Sequence, residues 1–158
     1  MKISIDGWET GLRFVAGHFL PSIEKCSRLH GHNYALSIMV EGEPGDGGIV
    51  VDFIELKRLA HTLIERIDHR MLLPTAGKSM KITIEGEQYI ISFNGKRYVI
   101  PQSDVATMPL ENISAEELSR YFAQELARGL RAFSNISAVT ATISEGKGQE
   151  ASWEERLR

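Results

Sequence analysis

The sequence predicts an α+β chain, with two helices packed on one face of an antiparallel sheet. Three observations carry this expectation. Apolar residues alternate at period two near both ends of the chain, and two longer segments between them recur at helical spacing. The resulting order, β-β-α, an extra β segment, then α-β, lacks the strict alternation of a parallel sheet. At 158 residues the chain is long enough to bury one core without staples and is expected to form a single domain, residues 1–158.

MKISI (1–5) and GLRFVAGHFL (11–20) read as strands, with Leu12, Phe14, Ala16 and His18 alternating onto one face of the second. HNYALSIMVEGE (32–43) is the clearest strand, with Tyr34, Leu36, Ile38 and Val40 on one side. EPGDGG (43–48) is a reversal, since Gly, Pro and Asp supply the dihedrals a tight turn requires. VVDFIELKRLAHTLIERIDHR (50–70) reads as a helix with Asp52 as N-cap and Leu56, Leu59, Leu63 and Ile67 on one stripe. SAEELSRYFAQELARGLRAF (114–133) is a second helix, where Ser114 and Glu117 form a capping box ahead of Leu118, Phe122, Leu126 and Leu130. AVTATISE (138–145) alternates Val139, Ala141 and Ile143 and ends in Glu145. Between the helices, residues 81–100 are expected to form two or three strands around Asn94-Gly95, because a type I′ turn needs positive φ at both central positions.

Composition narrows the function classes. Apolar residues make up 42% and charged residues 25%, the values of an ordinary globular protein. A formal net charge of −3 leaves no basic footprint for nucleic acid. One cysteine forms no intramolecular disulfide, and no run approaches the roughly 18 apolar residues of a membrane helix. With no secretion signal in view, the expected location is the cytoplasm and no membrane partner is expected.

The chemistry concentrates in CSRLHGHNY, residues 26–34. His30 and His32 are two apart, so in an extended segment both leave the same face. His18 ends an earlier strand that a neighbour can bring alongside. Three imidazoles with one open position are the arrangement of a catalytic zinc site, and neutral imidazole suits Zn²⁺ where Mg²⁺ prefers carboxylates. The alternative is three unrelated polar or core histidines. Cys26 has three readings: a small core residue, a fourth ligand that closes a structural zinc site, or a thiolate beside an open zinc, favoured if Lys25 and Arg28 point toward it. His61 has no motif partner and reads as structural. AGKS (76–79) imitates part of a phosphate loop, but Leu72 stands where the first glycine belongs.

FVAGHFL, CSRLHGHNY, GGIVVDFIELK, RIDHRMLLP, LENIS and a last strand ending in glutamate follow one another in order across residues 12–145. This series resembles the 6-pyruvoyltetrahydropterin synthase family. Cys-x3-His-Gly-His is most similar to its 6-carboxy-5,6,7,8-tetrahydropterin synthase branch, of the queuosine and archaeosine pathways. The resemblance implies the tunnelling fold, an antiparallel four-stranded sheet with two helices on one face, whose subunits join edge strands into a barrel, usually as a homohexamer built as a dimer of trimers. It implies zinc ligands at His18, His30 and His32, a catalytic Cys26 that is not a ligand, and a proton-transfer pair at Asp68 and His69 that is supplied across a subunit interface. Glu145 matches the carboxylate that anchors the pterin, and Glu111 an acid bordering the same pocket. Without the resemblance, Asp68-His69 reads as a helix C-terminus, Glu111 as an acid at a helix N-terminus, and Glu145 as a solvated strand end.

The implied reaction is that of a lyase, zinc-dependent conversion of 7,8-dihydroneopterin triphosphate to 6-carboxy-5,6,7,8-tetrahydropterin, acetaldehyde and triphosphate. The alternatives are 6-pyruvoyltetrahydropterin formation, an aldolase-type cleavage of dihydroneopterin, or a zinc-stabilised binding protein without activity. The chain departs from the family at Met108-Pro109-Leu110, where Pro-Thr usually precedes the Glu-Asn block, and in the inserted hairpin.

Overall fold

The structure, a computed structural model, describes residues 1–157. Arg158, the last residue of the expected domain, lies outside them. Strands β1 (Lys2–Ile5), β2 (Arg13–His18) and β3 (His30–Gly42) flank a four-residue helix α1 (Gly7–Thr10). Helix α2 (Phe53–Ile64) and strand β4 (Arg70–Pro74) precede the inserted strands β5 (Lys81–Glu85), β6 (Gln88–Phe93) and β7 (Lys96–Pro101). β8 (Val105–Met108), α3 (Ala115–Leu130), β9 (Ile136–Ser144) and β10 (Glu150–Arg156) complete the chain. Among the described residues no helix is long and apolar enough to cross a membrane.

The α+β expectation holds, but the sheet is larger than the four antiparallel strands expected. It has seven strands in the order β10-β9-β3-β2-β4-β8, with β1 also pairing β3. The antiparallel part is β10-β9-β3-β2, and β4 runs parallel to both β2 and β8. After Arg70, β4 is an unbroken apolar run, so it showed no period-two signal. β10 is mostly exposed on both faces, as an edge strand can be, and carries no alternation to read.

The first helix also ends earlier than its periodicity suggests. Asp52 caps it as expected, accepting from the Ile54 amide at 2.8 Å. The helix stops at Ile64, and His69 adopts φ +58°, which an α-helix cannot hold. At α3, Ser114 accepts from the Glu117 amide, but the capping box is only half made. The Ser114 amide donates to Asn112 Oδ1 instead, and Glu117 pairs with Arg120.

Two clusters form the core. The larger joins the even-numbered face of β2 and β3 to Leu56, Ala60 and Leu63 of α2 and to Leu118, Phe122 and Leu126 of α3. The smaller gathers Phe19, Met71, Leu73 and Val105 against Ile91 and Phe93 of the insert, whose three strands form a separate sheet. Asn94 and Gly95 take φ +48° and +74° at its turn, as a type I′ hairpin requires.

Candidate metal and thiol site

The β2–β3 register builds the centre of the site. His18 pairs directly with His30, Ala16 with His32 and Phe14 with Tyr34, so the apolar even face of both strands ends in three imidazoles. The ligand nitrogens of His18, His30 and His32 lie within 4.8 Å of one another. The glycine between the two strand histidines has a steric reason, because a Cβ at Gly31 would stand 2.5 Å from the Ala16 carbonyl oxygen.

Two of the imidazoles are held by backbone carbonyls. His18 is 1% exposed and donates from Nδ1 to the Ile113 carbonyl, while its buried Nε2 has no hydrogen-bond partner. His30 donates from Nδ1 to the Arg28 carbonyl at 2.8 Å. A carbonyl only accepts, so in each neutral ring the proton sits on Nδ1 and the Nε2 lone pair is left for a metal. Burial pushes the His18 pKa down to about 4, against the Ile113 carbonyl, and the neighbouring His30 and His32 add to the fall. An orphaned, neutral, buried imidazole nitrogen of this kind fits a metal.

Cys26 and Glu145 meet at a neighbouring cleft of about 360 Å³, which Ser114, Ala115 and Gln149 also line. Glu145 Oε2 stands 3.9 Å from His32 Nε2, so this carboxylate borders both the cleft and the imidazoles. Among the described residues, neither Cys26 nor Glu145 belongs to the group whose donor atoms converge on a common centre. The converging donor set among the described residues is therefore three imidazoles, with neither the thiol nor the carboxylate in it.

Asp68 and His69 lie elsewhere in the chain. Asp68 Oδ2 is 3.0 Å from His69 Nδ1, and Asp68 Oδ1 accepts from the Val15 amide at 2.8 Å. Burial alone would raise the Asp68 carboxyl, but the Val15 amide and the His69 imidazole together hold it below its ordinary value. The pair lines a hollow with Val15 and Asn33, side chains of the odd, outward set, whereas the imidazoles belong to the even set. The His69 side chain is 78% exposed. Within one chain this pair does not meet Cys26.

Glu111 also stands apart from the Cys26 cleft. It is exposed and, within the chain, lines a different hollow from Glu145, with Ala76, Gly77, Lys78 and Ser79. What the LENIS block gives the site is the Ile113 carbonyl that orients His18. Gly77 has a packing role, since a Cβ there would stand 1.9 Å from the Glu111 carbonyl oxygen.

Residues 9–156 match the family model described as 6-pyruvoyl tetrahydropterin synthase. The chain belongs to this family. A protein of Methanocaldococcus jannaschii, named provisionally as a 6-carboxy-5,6,7,8-tetrahydropterin synthase, is 32% identical over 99% of this chain and 98% of its own length. The 6-carboxy-5,6,7,8-tetrahydropterin synthase of Bacillus subtilis is 45% identical over 39% of this chain and 42% of its own. The solved 6-pyruvoyltetrahydropterin synthase of Plasmodium vivax superposes with TM-score 0.91 at 23% identity, over 99% of this chain and 98% of that one, which shows the shared fold. Family membership and the histidine cluster agree on a metal-capable pterin-synthase scaffold.

Tyr34 is the site residue that sequence reasoning left in the core. Its hydroxyl is buried with no hydrogen-bond partner, and burial, then the nearby Glu145 carboxylate, push the phenol up. The signal was present in the period of two, which continues the His30 and His32 face into Tyr34.

Proposed function

We propose that the protein is a zinc-dependent lyase that converts 7,8-dihydroneopterin triphosphate and water to 6-carboxy-5,6,7,8-tetrahydropterin, acetaldehyde and triphosphate. The observation that carries this function is the open three-imidazole cluster with Glu145 at its edge and Cys26 across the adjoining cleft. Relatives named as 6-carboxy-5,6,7,8-tetrahydropterin synthases support it.

His18, His30 and His32 hold zinc, which supplies Lewis-acid polarisation of the substrate's side-chain hydroxyls. Glu145 accepts from the pterin's 2-amino group and adjacent ring N–H, a pair of charge-assisted bonds that fixes the ring. Cys26 moves a proton between the side-chain carbon and the ring. Asp68 holds His69 through Nδ1, which leaves Nε2 for the second proton transfer. Because that pair faces away from Cys26 in its own chain, it serves a neighbouring subunit's cleft, in a homohexamer that is a dimer of trimers. Glu111, exposed on its own chain, serves as the acid bordering that shared pocket, a role its exposure supports. The sheet ends in β8 and β10, strands able to pair with another copy. The protein acts as one domain in the cytoplasm, on a small-molecule pterin, without a nucleic-acid or membrane partner.

Mass analysis of products from zinc-loaded protein and 7,8-dihydroneopterin triphosphate tests this function. Acetaldehyde with 6-carboxytetrahydropterin is the expected result. A pyruvoyl pterin would contradict it. A hydroxymethyl pterin would favour a second reading, aldolase cleavage, which rests on the dihydroneopterin monophosphate aldolase of Pyrococcus furiosus, 41% identical over 37% of this chain. Met108-Pro109-Leu110 in place of the usual Pro-Thr keeps that second reading open.

A further inference from the structure

Residues 81–101 lie outside every block of the family resemblance, form a sheet of their own, and supply no group to the proposed reaction. Their turn nonetheless meets the segment that carries Cys26. That segment, residues 19–29, joins β2 to β3 and is shaped by its own short turns. The Leu20 amide donates to the Cys26 carbonyl at 2.8 Å and the Ser27 amide to the Ile23 carbonyl at 2.7 Å. Local bonds of this kind give a loop its shape without fixing it to the body of the protein.

Two side chains of the β6–β7 hairpin supply that attachment. Asn94 Nδ2 donates to the Pro21 carbonyl at 2.8 Å. Lys96 Nζ donates to the Ser27 carbonyl at 3.0 Å and to Ser27 Oγ at 3.3 Å. The two attachments bracket Cys26, one on each side of it in sequence. The hairpin is itself anchored in the body of the protein, since Ile91 and Phe93 share a buried cluster with Met71 and Leu73 of β4 and Val105 of β8, and Lys96 stands over the Phe93 ring at 5.7 Å. Asn94 therefore serves twice, adopting the positive φ of the turn and reaching the loop with its amide. Among the described residues, the other side-chain hydrogen bond that holds this segment from outside is that of His30 to Arg28.

We propose that the inserted hairpin braces the Cys26 segment, with Lys96 and Asn94 as positioning residues for the thiol. A donated bond from an ammonium is stronger than a neutral one, and proton transfer is sensitive to misplacement on the scale of about 1 Å. The catalytic consequence rests on the role given to Cys26 above, whereas the bracing itself does not.

The test uses Lys96→Met, which keeps an apolar stem over Phe93, combined with Asn94→Gly, which keeps the positive φ. Amide exchange at Leu20 and Ser27 should accelerate by at least about tenfold, the loss of a charge-assisted bond, while amides of β3 and β9 keep their protection. Under turnover, kcat should fall about tenfold with KM little changed, and Lys96→Arg should restore most of it. Wild-type exchange at Leu20 and Ser27 in the double variant would overturn the proposal, as would equal acceleration throughout β3 and β9. If wild-type protein turns over no pterin, the function above fails while the exchange data still decide the brace.

Discussion

The β2–β3 ladder and the 19–29 segment that joins its two strands are built by different means. In the ladder, backbone pairing places His18 opposite His30 and seats His32 one step along, so period two and register determine the proposed ligand set. In the segment, Cys26 is placed by turns and by side chains that arrive from residues 94 and 96, about 70 positions away in the chain. The groups proposed to hold a metal at fixed positions come from the strands. The group proposed to move a proton sits on a loop whose position depends on long-range contacts.

Substitutions on either side of this divide should fail differently. The largest effect is expected for His18→Ala, which removes the buried ligand. Metal content should drop to near zero on gel-filtered protein, with activity lost by about a thousandfold or more. Cys26→Ala should lower kcat by roughly 10² to 10⁴ while metal content stays at the wild-type level. Loss of metal in that variant would place Cys26 among the ligands and erase the contrast between ladder and loop.

Gly31→Ala attacks the ladder without touching a ligand. Its Cβ would stand 2.5 Å from the Ala16 carbonyl oxygen, so the strands must separate locally. A loss of about 2 kcal/mol or more in denaturant titration, with weakened metal binding, is expected. Acid should act on the same ladder in the metal-free protein. The folded chain holds His18 at about 4, below its ordinary 6.5, so the unfolded chain binds a proton the folded chain refuses. Stability contributed by this group is therefore complete above pH 6.5 and is lost as pH falls toward 4, by about 3 kcal/mol in total. The smallest effect belongs to His61→Ala, an exposed position on α2, where a change within about 0.5 kcal/mol is expected.

The ladder was legible in the sequence because its signals are local. Leu12 to His18 and Tyr34 to Val40 carry an apolar residue or histidine at every even position, and that even face is buried, with Ala35 the one buried odd position. The Asn94-Gly95 turn was legible for the same reason. Strand β4 was not, since its apolar run carries no period, and neither was β10, whose two faces both meet solvent. That Glu111 and Glu145 line different hollows of one chain was not legible, because a motif gives no direction to a side chain. The Ile113 carbonyl and the contacts of Lys96 escaped altogether, since backbone acceptors and long-range side-chain bonds leave no mark in a residue pattern.

The central claim is an open metal site of three imidazoles with a thiol nearby that does not bind the metal. X-ray absorption at the zinc edge of the zinc-loaded protein tests it most directly. The account predicts a shell of nitrogen and oxygen at about 2.0–2.1 Å with no sulfur component. A sulfur shell near 2.3 Å, lost in Cys26→Ala together with the metal, would contradict it and make the site a closed structural one.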